Sequence, residues 1–245
     1  MLKSNFSVLC IILTLCSGVF FAVSCRAEKV DAVQAIDAEE VLPEPGALML
    51  NTGGGQDLIF VSYLDPRLRE GVEAFFRDLT GSSEIAIVVL SNAVAFNIPP
   101  ALAFALCWEE SGFNPRAINR NKNNTMDRGL FQLNSASFPN VEAEEFYDPN
   151  LNARYGLAHL RWCLNTAGTE VAGLAMYNAG TARVSSSGTP KNTLDYISRI
   201  LKRQRKIEEL FMTEYSRIAK VESSGAGEKG KLLFRLSLLT PLGGH

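Results

Sequence analysis

The chain has 245 residues with a formal net charge of −2, and 47% of them are hydrophobic. This length fits one folded domain with targeting and linker segments, and the near-neutral charge gives no support for nucleic-acid binding, which usually requires a basic excess. There are only two histidines, His159 and His245, and no HxxxH or CxxC pair. The sequence therefore predicts no metal site and no cofactor.

Residues 1–25 predict a signal peptide, with Lys3 followed by an apolar run from 6 to 23 and then small residues. The tetrapeptide AVSC at 22–25 resembles a loose bacterial lipobox. It predicts cleavage before Cys25, lipidation of that cysteine and anchoring to a membrane. A released exported protein and an uncleaved anchor are the alternatives. In each case the rest of the chain lies outside the cytoplasm, in the periplasm or cell envelope.

Residues 26–60 are acidic and then rich in proline and glycine, which predicts a tether. A folded domain is expected at 61–221, with its core at about 80–205. Apolar periodicity predicts a helix that ends at Gly81, a second from Ser82 to about Phe96, and a third that begins at Pro99–Pro100. Three further helices are expected at 151–164, 168–178 and 193–221. Residues 222–245 form a tail to which we assign no function.

The third helix, PALAFALCWEES, is apolar on nearly every face, and such a helix belongs in the interior of a fold. The segment that follows, 113–128, is dominated by polar and turn-forming residues, which predicts an irregular loop or a short hairpin. The chain is thus expected to be mainly α-helical, with this insertion directly after the buried helix.

Two carboxyl groups stand near this boundary, Glu110 at the end of the buried helix and Asp127 in the polar segment. Apolar surroundings and the negative end of the helix dipole both favour a protonated Glu110, as a general acid requires. The polar surroundings of Asp127 favour its ionised form. Two carboxyl groups whose pKa values are shifted apart by contrasting surroundings are typical of enzymes that cleave glycosidic bonds. The residues alone do not decide between Glu110 and its neighbour Glu109.

Three sequence blocks, ESGFNPRA, GLFQL and MYNAG, resemble the lytic transglycosylase family with the soluble-transglycosylase (SLT) catalytic domain. The resemblance covers about residues 80–205 and implies a lysozyme-like α-helical domain of the α+β type that acts on peptidoglycan. The family glutamate directly precedes a serine, so the catalytic role falls on Glu110, while Glu109 is expected to be a surface residue. Phe131 replaces the usual methionine of the second block.

The resemblance also implies roles around Glu110. Five residues are expected to bind substrate or orient the acid: Ser111, Gln132, Tyr177, Asn178 and Tyr196. Of these, Tyr177 is expected to help position Glu110, Tyr196 to lie near the catalytic acid, and Asn178 to contact an N-acetyl sugar. Packing remains the alternative for Gln132 and Tyr196.

The role of Asp127 distinguishes two possible reactions. Many members of the family act with one glutamate, which serves first as acid and then as base and closes a 1,6-anhydro ring on N-acetylmuramic acid. The spacing from Glu110 to Asp127 equals that of the two carboxylates in animal lysozymes. If Asp127 assists catalysis in that way, water attacks and the enzyme is a hydrolytic muramidase. Alternatively Asp127 holds its loop through backbone hydrogen bonds. A non-catalytic peptidoglycan-binding lipoprotein is the third possibility.

Two cysteines, Cys107 and Cys163, remain in the predicted domain. An oxidising compartment permits a disulfide between them, whereas their apolar helical surroundings favour two buried thiols. Both possibilities stay open from the sequence. A cysteine nucleophile is not expected, because no histidine accompanies either residue in a suitable motif.

Overall fold

A computed structural model describes residues 57–223 of the chain. The predicted signal peptide with Cys25, all but the last residues of the 26–60 tether, and residues 224–245 of the tail lie outside this range. Within the described range, no helix combines the length and the apolar character needed to cross a membrane.

The first three helices are α1 (Leu58–Leu64), α2 (Arg69–Thr80) and α3 (Ser83–Ala95). Their ends follow from capping residues. The Ser82 hydroxyl accepts a hydrogen bond from the backbone N–H of Ile85, and Gly81 ends α2 in a left-handed conformation with φ of 74°. Helix α1 crosses residue 60, where the sequence places the end of the tether. Ile59 and Phe60 are buried in the domain.

Helix α4 (Pro100–Ser111) lies in the interior of the fold, as its composition predicts, and every residue from Pro100 to Cys107 is buried. Phe104 stacks on Phe76 of α2, with their ring centroids 4.0 Å apart. Burial of a large apolar side chain contributes about 1.5–3 kcal/mol. This packing fixes the helix whose last turn carries Glu109 and Glu110.

The polar insertion and the residues just after it form a small antiparallel sheet of three strands, β1 (Ile118–Arg120), β2 (Met126–Arg128) and β3 (Leu133–Asn134). Asp127 on β2 pairs with Asn119 on β1 and with Asn134 on β3. The predicted short hairpin is present as β1 and β2, and the third strand, β3, was not predicted. A strand of two residues carries too little periodicity to be recognised in a sequence.

After a 3-10 turn at Glu145–Tyr147, the chain continues through α5 (Pro149–Ala167), α6 (Glu170–Ala179), α7 (Thr181–Ser187) and α8 (Lys191–Ser223). The predicted helices at 151–164, 168–178 and 193–221 correspond to α5, α6 and α8. Helix α7 was not predicted. Helix α8 is long and packs along α4, and its Phe211 contacts Phe75 of α2 edge-on at 5.2 Å. The expected mainly α-helical fold class is confirmed.

Candidate active site

Glu110 lies in the last turn of α4, where the buried helix reaches the surface. The side chain is only partly exposed. Gly112, with φ of 61°, and Phe113, with φ of 67°, both adopt left-handed conformations and turn the chain sharply away. Phe113 is buried and packs against Trp108, with ring centroids 5.3 Å apart. The turn therefore leaves Glu110 at the end of the helix, with access to solvent on one side.

The hydroxyl of Tyr196, on α8, donates a short hydrogen bond to Oε1 of Glu110. Burial of the Glu110 carboxyl raises its pKa to about 8. The hydrogen bond from Tyr196 opposes this rise, whereas the negative charges of Glu109 and Asp127 add to it. Burial also raises the pKa of Tyr196, so its hydroxyl keeps the proton that it donates. Glu110 is consequently a protonated carboxylic acid at neutral pH, oriented by a fixed donor.

Glu109 faces a different partner, because neighbouring residues on a helix point about 100° apart. Both Nε and Nη2 of Arg199, on α8, contact Oε1 of Glu109, at 2.7 and 2.6 Å. The Glu109 side chain is only 15% exposed, which corrects the expectation of a surface glutamate. It is tied to α8 by this ion pair.

Asp127 accepts hydrogen bonds from the side-chain amides of three asparagines. The donors are Asn134 at 2.7 Å, Asn121 at 2.9 Å and, more weakly, Asn119 at 3.4 Å. These residues come from β1, β3 and the β1–β2 turn, so the carboxylate joins the strands of the sheet. The expected loop-holding contacts are thus made by side chains and not by backbone N–H groups. Both oxygens of Asp127 are engaged.

Gln132 follows Gly129 in the GLFQL block and adopts a left-handed conformation with φ of 46°. Its amide nitrogen donates to the backbone carbonyls of Gly129, at 2.9 Å, and Ala117, at 3.2 Å. The donor end of this side chain therefore supports the backbone between β1 and β3. Gly129 has no room for a side chain, because a Cβ there would lie 2.2 Å from the amide of Asn152.

The two residues of the third block, Tyr177 and Asn178, lie on α6 and form hydrogen bonds within the protein. Tyr177 donates its hydroxyl to the carbonyl of Phe131, at 3.0 Å. The oriented hydrogen bond to Glu110 comes from Tyr196 instead. Burial, and after it the charge of Glu110, raises the pKa of Tyr177. Asn178 is exposed, and its side-chain oxygen accepts a hydrogen bond from the hydroxyl of the buried Thr193, at 2.9 Å.

Ser111 is partly exposed beside Glu110, and its hydroxyl donates to the carbonyl of Cys107 at 3.1 Å. The expected residues thus fall into two groups. Glu110, Tyr196 and Asp127 interact electrostatically at the end of α4. Gln132 and Tyr177 instead hold the backbone around Phe131, and Asn178 is bonded to the start of α8.

Comparison with known proteins places this chain in a family. The family described as "Transglycosylase SLT domain" matches residues 88–200. Invasion protein IagB of Salmonella typhi is 28% identical over 125 residues, covering 49% of this chain and 76% of that protein. Protein IpgF of Shigella flexneri is 30% identical over 118 residues, covering 46% of this chain and 75% of that protein. The chain belongs to the transglycosylase SLT domain family. No solved structure matches it significantly.

Membership of the SLT family agrees with the mainly α-helical, lysozyme-like fold. It supports, at the level of the family, a transglycosylase function of the lytic, peptidoglycan-directed type. The match at residues 88–200 includes Glu110, Gln132, Tyr177 and Tyr196.

Two residues of this SLT domain that support the site escaped the sequence analysis, Asn152 and Arg199. Asn152 is fully buried on α5 and accepts from the N–H of Phe131 at 2.8 Å. It also donates to the carbonyls of Phe146 and Arg128 at 2.8 and 2.9 Å. A polar residue on the apolar face of a helix could have drawn attention to it. Arg199 stands three positions after Tyr196, on the same face of α8.

The two cysteines are free thiols and both are buried, so the disulfide considered from the sequence does not form. Burial raises the pKa of both thiols, which disfavours the thiolate that a nucleophile needs. His159 is also unsuited to act as a base at neutral pH, because burial lowers its pKa to about 4. Across residues 57–223, His, Cys, Asp and Glu side chains nowhere form a group of three that could hold a metal ion.

Proposed function

We propose that this protein is a peptidoglycan lytic transglycosylase that cleaves the β-1,4 bond between N-acetylmuramic acid and N-acetylglucosamine. The observation that carries the proposal is the state of Glu110. It is a partly exposed carboxyl with a pKa raised to about 8, held by the hydroxyl of Tyr196 at the end of a buried helix. Such a group is protonated before the reaction and can accept a proton after it.

In the proposed reaction Glu110 first protonates the glycosidic oxygen, and the bond from that oxygen to the anomeric carbon of N-acetylmuramic acid breaks. The N-acetyl group of the substrate stabilises the positive charge at that carbon. Glu110, now a carboxylate, removes the proton of the 6-hydroxyl of the same sugar. The 6-oxygen then bonds to the anomeric carbon and closes the 1,6-anhydro ring. Glu110 recovers its proton and no water is consumed.

The contacts of Asp127 support a reaction with a single catalytic carboxyl. Its two oxygens accept hydrogen bonds from three asparagine amides, and these bonds join the strands of the sheet. A carboxylate occupied in this way is less available to stabilise a sugar cation. The negative charge of Asp127 nevertheless favours the protonated form of Glu110. We therefore assign Asp127 an electrostatic and structural role.

A hydrolytic muramidase is the second candidate, because Asp127 lies near enough to Glu110 to raise its pKa. In that reaction a water molecule attacks the anomeric carbon and leaves a reducing end. The two candidates thus share substrate and general acid and differ only in what attacks that carbon.

Mass spectrometry of purified peptidoglycan digested by the full-length protein tests the proposal. We expect N-acetylmuramic acid ends that are lighter than reducing ends by one water. Reducing ends alone would overturn the proposal in favour of the muramidase. The Glu110→Gln variant should bind glycan strands without cleaving them, and Asp127→Asn should keep the anhydro product. Binding without cleavage by the wild-type protein would instead indicate a non-catalytic peptidoglycan-binding protein.

We further propose that the enzyme is exported and anchored to a membrane through a lipid on Cys25. The AVSC sequence after the apolar run supports this placement. An exported enzyme would lie outside the cytoplasmic membrane, where peptidoglycan also lies. Labelling with a fatty acid in the producing cell should mark the wild-type protein and not Cys25→Ala. Recovery of the wild-type protein without label would contradict lipidation.

A further inference from the structure

Three consecutive residues at the end of α4 each contact a different residue of α8. Glu110 accepts the hydrogen bond from Tyr196, Glu109 pairs with Arg199, and the Trp108 ring lies 4.5 Å beneath the guanidinium carbon of Arg203. Because the partner numbers rise as the α4 numbers fall, the two segments run antiparallel.

The ion pair places the negative charge of Glu109 beside the acid, and Arg199 contacts Glu109 from the side of α8. Glu109 is the neighbour of Glu110, and its negative charge favours the protonated form of that carboxyl. Arg199 offsets this charge through two contacts to Oε1 of Glu109. Although Arg199 is 58% exposed, Glu109 is only 15% exposed, so solvent screens the pair only in part.

Other charged and titratable groups also act on Glu110, and they come from every element around it. From α4, Glu109 adds negative charge, and from β2, Asp127 does the same. Tyr196 of α8 donates its hydrogen bond, and Tyr177 of α6 stays protonated because burial raises its pKa. None of these neighbours is a cation in direct contact with Glu110. Arg199 therefore supplies its positive charge to the site through Glu109.

We propose that Arg199 is a positioning residue that acts through Glu109 and governs how readily Glu110 releases its proton. The inference rests on the proposed function of Glu110 as the general acid. It assigns a role to Glu109, a position that the family motif does not fix. It also assigns a role to Arg199, which lies on α8 outside the three sequence blocks. Together the pair keeps the local charge balanced beside an acid that must both give and take a proton.

The two single variants should move the Glu110 pKa in opposite directions. In Arg199→Gln the charge of Glu109 loses its ion-pair partner and is offset only by the more distant Arg203, so the pKa of Glu110 should rise. In Glu109→Gln the neighbouring negative charge that raises the pKa of Glu110 is removed while Arg199 keeps its positive charge, so the pKa of Glu110 should fall. Each shift should be about half a unit to one unit at about 0.1 M salt and should shrink at about 1 M salt. The double variant should lie close to the wild-type value.

The experiment is a pH titration of the full-length protein labelled with carbon-13 at the glutamate carboxyl, read by nuclear magnetic resonance. Glu110→Gln identifies the signal. Lys202→Gln, which removes an exposed positive charge from the same helix, is the matched control for Arg199, and the exposed Glu144→Gln is the control for Glu109. Arg199→Lys keeps the charge and should restore most of the wild-type pKa. A merely structural ion pair would lower stability in both single variants without shifts of opposite sign.

The titration needs no turnover, so its result stands apart from the proposed reaction. Opposite shifts that cancel in the double variant would support the role of Arg199, whatever product the enzyme makes. Shifts of the same sign, or none beyond the two controls, would overturn it. If the pair acts as proposed and the protein cleaves peptidoglycan, the pH profile of kcat/KM should move in the same direction as the pKa of Glu110. A profile that stays fixed while the pKa moves would contradict Glu110 as the general acid.

Discussion

Replacing Glu110 by glutamine should abolish turnover and make the fold more stable at neutral pH. The folded protein raises the pKa of this carboxyl from 4.5 to about 8. The stability that the protonated group contributes is therefore complete below pH 4.5 and is lost as the pH rises toward 8. Each pH unit in this window removes about 1.36 kcal/mol, so the loss by pH 7 reaches about 3 kcal/mol. This is an upper limit, since the side chain is only partly buried.

Glutamine has the shape of the protonated acid and does not ionise. The variant should match the wild type at pH 4.5 and exceed it by up to about 3 kcal/mol at pH 7. Urea unfolding followed by far-ultraviolet circular dichroism at pH 4.5, 6, 7 and 8 measures the difference. The exposed Glu144→Gln serves as control and should show no such dependence. A difference that is the same at every pH, or a variant less stable than the wild type at pH 7, would refute the reasoning.

The remaining predictions concern the groups around the acid. Tyr196→Phe removes the hydrogen bond that lowers the Glu110 pKa. The alkaline limb of the kcat/KM profile should move upward, and kcat should fall about tenfold because the acid loses its orientation; an unchanged profile would contradict the contact. Asn152→Ala leaves the N–H of Phe131 and two carbonyls without their partner, so chemical denaturation should show a loss of about 2–4 kcal/mol. In Gly156→Ala the new Cβ would lie 2.4 Å from Cβ of Phe131. A loss of about 1–3 kcal/mol is expected in the same assay, and a loss below about 0.5 kcal/mol would show that Phe131 moves aside freely.

Much of the fold follows from local sequence patterns. The buried helix α4 was predicted because its residues are apolar on nearly every face, and the start of α3 because Ser82 is a favourable cap. The short elements were missed for the opposite reason. Helix α7 and the two-residue strand β3 hold too few residues to show a period, and they form where the surrounding chain supports them.

The sequence indicated the candidate acid of the site but not the hydrogen-bond partners around it. The serine after Glu110 identifies that glutamate by resemblance to the family, and its position at the end of an apolar helix predicts a raised pKa. The resemblance implied that both Tyr177 and Tyr196 lie near the acid, but it did not decide which hydroxyl contacts the carboxyl. Tyr177 was expected to position Glu110, yet its hydroxyl bonds to the Phe131 carbonyl and Tyr196 makes the contact. Both tyrosines are distant from Glu110 in the chain, so only the packing of α6 and α8 determines which hydroxyl reaches the carboxyl.

The sequence by itself determined the helical class of the domain, and its motifs indicated, by resemblance, the family and Glu110 as the candidate acid, because motifs consist of residue types at fixed local spacing. The tertiary structure decided the partners of the two neighbouring glutamates. Glu109 and Glu110 differ by one position, and their side chains leave the helix in different directions. Arg199 and Tyr196 meet them only because α8 folds back along α4. Those two contacts lie about 90 residues apart in the chain, and no local pattern encodes such a pairing.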